Sequence, residues 1–262
     1  MPDTERGKAI SDFDRNVASA RPYGADRAVA VDAGLRAYMI RVYNTMAMGV
    51  ALTGIVSWFT YNAAVVTNEA GAVVSLTPFG QTLFSGPVTI VLFLATLGLV
   101  FFMSFRVHTL SVGTATGLFF LYAGLLGLML ASIFLVYTGQ SITRVFFITA
   151  ASFGALSLYG YTTQRDLGPI GSFLIMGLFG LILASIVNIF LASTAMGFVI
   201  SVVGVLVFAG LTAYDTQRIK EMYDVNDDGT VAGRKAIMGA LTLYLDFINM
   251  FLMLLRLFGD RR

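Results

Sequence analysis

Two acids stand in stretches that are otherwise apolar: Asp215 in LTAYDTQRIK (211–220) and Asp246 in LYLDFINMFLMLLRLFG (243–259). A charged side chain at the centre of a membrane helix costs about 2.5–3.5 kcal/mol on insertion scales, and intramembrane acids are functional by default. Two carboxylates that meet in a low dielectric cannot both ionise easily, so the pair shares one proton and titrates as a unit. With that proton lost, the same pair is an anionic, oxygen-lined site attractive to a passing Ca²⁺. The turn between the two stretches centres near Gly229, with Asp215 14 residues before it and Asp246 17 after it. At a rise of 1.5 Å per residue the mismatch in depth is about 4–5 Å, so an antiparallel pair of helices sets both carboxyls nearly level.

The neighbours of each acid follow helical spacing. Thr242, Asp246, Asn249 and Arg256 are separated by 4, 3 and 7 residues and fall on one stripe. Ser201, Gly204, Thr212 and Asp215 share a face of the preceding stretch. Two polar stripes on consecutive antiparallel helices suggest a common interior seam. For Ser201, Thr242 and Asn249, hydrogen bonding between helices is an ordinary structural use, and Thr212 belongs to the same polar seam. Arg106, at the end of the second apolar stretch, is the expected cationic partner of the acids, and it also suits a plain interfacial anchor. Arg256 lies ten residues beyond Asp246, about 15 Å along the axis, so it snorkels at the far face rather than pairing within the helix.

The elements that carry these groups are set by composition. Hydrophobic residues make up 57 % of the 262 and charged ones 12 %, against roughly 25 % charged in soluble domains. Mean hydropathy is +0.80. The chain reads as an all-α polytopic membrane protein. A spanning helix needs about 20 apolar residues, and seven stretches qualify: 38–60, 86–105, 111–136, 143–161, 170–191, 196–217 and 236–258. Residues 1–35 are expected to form a polar tail without a cleavable leader, and 36–259 the seven-helix domain. Lys and Arg in short loops set orientation. Arg6, Lys8, Arg15, Arg21, Arg27, Arg36 and Arg41 precede or open the first span. Arg106, Arg165 and then Arg218, Lys220, Arg234 and Lys235 mark every second turn. The N-terminus is therefore expected in the cytoplasm, with 218–235 a charged cytoplasmic turn. The terminal Arg261-Arg262 complicates the far end, and the polar seventh span is expected to be central, shielded by the other six helices.

The chain also repeats. GLLGLMLASIF (124–134) matches GLFGLILASIV (177–187), and YTTQR (161–165) matches YDTQR (214–218), both at an offset of 53 residues. Helices three and four thus resemble helices five and six, an arrangement that places transporter sites between units. Where one copy has Thr162, the other has Asp215, so the acid is the specialised addition.

Several chemistries are excluded. Cysteine is absent and His108 is the one histidine, which leaves no thiolate chemistry and no zinc site of the usual kind. The lysines are Lys8, Lys220 and Lys235, all outside the spans, so no retinal Schiff base can form. No phosphate loop or nucleophile–base pair is present, and no enzymatic activity, cofactor or nucleic-acid binding is expected. DVNDDG (224–229) matches the opening of an EF-hand loop, but the twelfth position, where a bidentate Glu is needed, is Lys235. It reads as an acidic surface turn.

LYLDFINMFLMLLRLFG, LTAYDTQRIK and LYGYTTQRDLGPIG together resemble the Bax inhibitor-1 (transmembrane Bax inhibitor motif) family, and LILASIVNIF its bacterial branch. The resemblance covers nearly all of residues 36–259. It implies seven helices with the last buried among the other six, a pH-sensitive aspartate pair falling on Asp215 and Asp246, and a latching arginine placed on Arg106. It also implies a passive, pH-regulated Ca²⁺ leak. DVNDDGTVAG is longer than the compact turn of some bacterial members. The expected function is a pH-sensitive Ca²⁺ leak channel or transporter in a bacterial inner membrane, with Ca²⁺ and H⁺ as its ions. The rival is a non-conducting regulatory membrane protein that binds a partner such as a membrane protease. A third reading, a proton-coupled transporter of a small solute, needs a substrate cavity.

Overall fold

The computed structural model describes residues 23–69 and 72–262. Arg6, Lys8, Arg15 and Arg21 of the expected tail lie outside them. Helix α1 (Tyr23–Ala64) is followed by a small antiparallel hairpin, β1 (Val65–Thr67) and β2 (Val73–Leu76), and a short helix α2 (Pro78–Leu83). Then come α3 (Gly86–Arg106), α4 (Val112–Leu130), a one-turn α5 (Ile133–Val136), α6 (Gly139–Thr162), α7 (Gly168–Leu191), α8 (Thr194–Glu221) and α9 (Gly229–Phe258). Among the described residues, seven spans are long and apolar enough to cross a membrane, and each contains one of the seven expected stretches or nearly so. The third is α4 and α5 in sequence, broken at Ala131–Ser132. α1 begins well ahead of residue 36, because ADRAVAVDAGLRA (25–37) is rich in alanine and favours helix without being apolar.

α9 is the most sheltered span. Two thirds (67 %) of its most apolar window is buried, against 11 % for α3 and 6 % for α7. It packs on α8, α1, α6 and α4. The expectation of a last helix enclosed by all six others therefore needs adjusting. α3 leans chiefly on α4, and α7 on α8. These two are the most apolar spans, so lipid can cover most of their surface at no cost, whereas α9 carries polar groups that lipid cannot satisfy.

Small residues set the close crossings. Gly204 of α8 lies under Met253 of α9, and Gly239 of α9 lies under Ile219 of α8. Both contacts belong to one antiparallel register, in which Asp215 and Asp246 come level. The internal repeat folds onto itself in the same manner. Gly160 of α6 and its repeat counterpart Ala213 of α8 meet backbone to backbone, and any Cβ on Gly160 would fall on the Ala213 carbonyl oxygen. The two copies then part. α6 ends at Thr162 with Thr163 extended, while α8 runs on to Glu221. Gln217, from the second YxTQR, reaches into the turn after the first. Its Oε1 accepts from Leu167 N at 2.9 Å, and its Nε2 donates to the Arg165 carbonyl at 2.8 Å. Lys220 Nζ donates to the Tyr161 carbonyl at 2.8 Å.

The end of α9 is fastened on the opposite face to the 222–228 turn. Asp260 N donates to Ser141 Oγ at 2.8 Å, its carbonyl accepts from Thr138 N at 3.0 Å, and its carboxylate pairs with Arg144 at 3.0 Å. Arg262 N donates to the Val136 carbonyl at 3.0 Å, and its guanidinium donates to Tyr61 OH at 3.1 Å. α9 thus crosses the full width of the bundle, and Arg262 ties its end to α1.

Two outcomes test this packing. Gly160→Ala should destabilise the protein by about 1–3 kcal/mol, the usual cost of overpacking. It is read as a lower unfolding midpoint in detergent, while Gly98→Ala, whose Cβ meets open space, leaves the midpoint unchanged. Gln217→Ala should cost a similar amount, because it leaves the buried Leu167 N–H without its acceptor; an unaltered midpoint would show that Gln217 does not hold the turn.

Candidate functional site

Asp215 sits on the interior face of α8 and Asp246 on α9, and the structure brings their carboxyls together side chain to side chain. Asp246 is 5 % exposed, and its Oδ2 has no hydrogen-bond partner among the described residues. Asp215 is half-buried. The long turn between α8 and α9 does not spoil the match in depth, since the register is held by Gly204 and Gly239 rather than by turn length. Two acids in contact, one fully enclosed, form a site that can hold a proton between them or offer oxygens to a cation. Two carboxylates fall well short of the 6–8 oxygens of a resident Ca²⁺ site. No group of three or more potential metal ligands occurs among the described residues.

The cations around the pair differ from the expected one. Arg106 ends α3, is exposed, and makes no ion pair among the described residues. α3 leans on α4 rather than on α8 or α9, so the structure does not bring Arg106 to the aspartates. Arg218 stands one turn further along α8 from Asp215, a spacing that is legible as an i, i+3 pair. Arg256 is exposed at the far end of α9, as expected of a snorkelling side chain. Arg234, in the first turns of α9, donates to the His108 carbonyl at 2.7 Å and ties the α3–α4 turn to α9.

The four polar residues of the expected seam are used within their own helices. Ser201 donates to the Gly197 carbonyl, Thr212 to Phe208, Thr242 to Met238 and Asn249 to Leu245. This back-bonding four residues earlier satisfies a hydroxyl or amide without a partner helix. The links between helices come from other hydroxyls. Thr53 of α1 donates to the Ala123 carbonyl at 2.9 Å and so must accept from Tyr244 OH, 2.6 Å away. Thr216 donates to the Thr212 carbonyl at 2.7 Å, so it accepts from Ser157, 2.9 Å away. Ser157 in turn accepts from Tyr43 OH at 2.6 Å. A single directed chain thus runs from α1 through α6 to the residue beside Asp215. Only Thr216, inside the repeated YxTQR, carries a hint of this in sequence; Tyr43, Thr53, Ser157 and Tyr244 are isolated hydroxyls in apolar runs.

The acidic turn is self-contained. Asp224 accepts from the backbone N–H and the side-chain amide of Asn226, both at 2.9 Å. The backbone N–H foremost, with the amide and Lys235 adding to it, holds the Asp224 carboxyl below the usual range. Asp227 pairs with Lys235 at 2.6 Å. Asp228 caps α9, accepting from Thr230 N and Val231 N. The lysine at the twelfth EF-hand position thus supplies the positive charge itself, and all three acids are committed to the turn.

Comparison with known proteins identifies the chain's relatives. A family model described as inhibitor of apoptosis-promoting Bax1 matches residues 35–262. The inner membrane protein YbhL of Escherichia coli is 47 % identical over 241 residues, covering 91 % of this chain and 97 % of its own. A protein of Rickettsia prowazekii is 49 % identical over 234 residues, covering 88 % and 92 %. One of Caulobacter vibrioides is 42 % identical over 260 residues, covering 97 % and 100 %. With seven apolar helices, the acid-bearing motifs and a match over nearly the whole seven-helix domain, the chain is an integral membrane protein and belongs to the Bax inhibitor-1 family.

Proposed function

We propose that the protein is a pH-sensitive Ca²⁺ leak pathway in which Asp215 and Asp246 share the gating proton. The observation that carries this reading is the contact between their carboxyls inside the bundle, with Asp246 enclosed and one of its oxygens unpartnered among the described residues. A shared proton lets the two acids bond and holds α8 to α9. Its loss leaves two like charges in a low dielectric, which repel each other and attract a divalent cation. Ca²⁺ is the cargo here, and the pair gives it a passing foothold rather than a permanent site. Arg106 can serve as a latch only when α3 swings toward α8. The name of the Escherichia coli relative supports a bacterial inner membrane, and the Lys and Arg pattern of the turns supports a cytoplasmic N-terminus.

An asparagine can donate to the remaining carboxylate as a protonated acid would, but it cannot titrate. Ca²⁺ flux into protein-containing liposomes, followed between roughly pH 5 and 8, should therefore depend on pH in the wild type and lose most of that dependence in both Asp215→Asn and Asp246→Asn. An unchanged pH profile in both variants would sink the proton-sharing role. A wild type that passes no Ca²⁺ at any pH would replace conduction with the partner-binding, regulatory role.

A further inference from the structure

α1 and α6 run beside one another without close packing, and the gap between them is a crevice. Toward the face of the 222–228 turn it encloses about 720 Å³, within the roughly 300–1,000 Å³ typical of ligand sites. Met39, Ile40, Phe153, Gly154 and Leu158 line it together with the exposed Arg36. Beyond the edge-on pair Phe153–Phe247, whose rings are 5.5 Å apart, the same seam reopens into a smaller cavity of about 170 Å³.

Three observations say what fits there. The crevice opens sideways on a surface where Ile40 and Leu158 are exposed, between two spans that cross the membrane, so the medium at its entrance is hydrocarbon. A Cβ added to Gly154 would meet nothing within 4 Å, so the slot is open beside it. Arg36 is exposed and makes no ion pair among the described residues. Lys220 adds a second positive charge behind the lining residue Tyr161, 5.7 Å from its ring centre. Asp227, an acid of this face, is neutralised by Lys235.

We infer that the α1–α6 crevice is a binding site for one anionic phospholipid, with an acyl chain in the slot beside Gly154 and the phosphate on Arg36. The inference does not depend on Ca²⁺ conduction. It does place the lipid against the wall that carries the Tyr43–Ser157–Thr216 chain, one residue from Asp215, so an occupant is in direct contact with the framework of the aspartate pair.

The test is to titrate delipidated, detergent-solubilised protein with phosphatidylglycerol or phosphatidylcholine and to count retained lipids by native mass spectrometry. The wild type should hold one phosphatidylglycerol about fivefold more tightly than phosphatidylcholine, the discrimination that one cation at a membrane surface supplies. Arg36→Gln should erase that preference while still retaining one lipid. Gly154→Leu, whose Cβ has open space and whose longer side chain occupies part of the slot, should lose the tightly held lipid with either headgroup. Gly180→Leu, another glycine with open space around it, should keep it. Equal retention of the two lipids by the wild type, or an undiminished tight lipid in Gly154→Leu, would overturn the assignment.

Discussion

A carboxyl–carboxyl contact inside a bilayer-spanning bundle is an unusual thing to build. Hydrocarbon offers no water to solvate either group, and every polar atom left alone there is costly. The contact between Asp215 and Asp246 is tolerable only where a proton or a cation makes up for the second negative charge. This demand explains why α9 is the buried helix while the most apolar spans, α3 and α7, are left to the lipid. In a soluble protein the greasiest segment goes inside. In this bundle lipid serves the greasy helices as well as protein would, and the interior is reserved for the helix that lipid would reject.

Holding two acids level asks for a fixed register between α8 and α9, and for something to keep α8 in place from behind. Glycines supply the first, since Gly204 and Gly239 admit Met253 and Ile219 and fix how far one helix slides past the other. The repeat supplies the second. Its two copies cross at Gly160 and Ala213, and Gln217 of one copy bonds to the turn of the other. Duplication has here produced a contact between equivalent positions, and the position that departs from equivalence is the one that became acidic.

The fold was largely legible from residues alone, because span length and apolarity are dictated by the thickness of the bilayer. The aspartate pair was legible for the same reason, as an acid in an apolar run stands out and the helical rise converts spacing into depth. What could not be read was the partner of each smaller polar group. Ser201, Thr212, Thr242 and Asn249 look like glue between helices, yet a hydroxyl or amide reaches its own helix four residues back just as easily. Choosing between the two uses requires knowing which helix lies opposite. Arg106 shows the same limit. Its place at a helix end is clear from sequence, but whether that end faces the acids depends on how α3 leans, and it leans on α4. The extent of α1 was missed because its first turns are held by alanine propensity rather than by an apolar pattern.

That extent has a mechanical meaning. α1 runs unbroken over 42 residues with no proline, about 63 Å at the helical rise, whereas the hydrocarbon core is about 30 Å thick. The helix is therefore about twice as long as the hydrocarbon core is thick, and Tyr38, Met39 and Val42 in its N-terminal half are still buried against the bundle. A rod of that kind has no hinge at the membrane surface. A push or a twist applied along it is carried to Tyr43 and Thr53, through which α1 hydrogen-bonds to the bundle. α1 is thus a lever longer than the membrane core is thick, bonded through Tyr43 to the framework around the two acids.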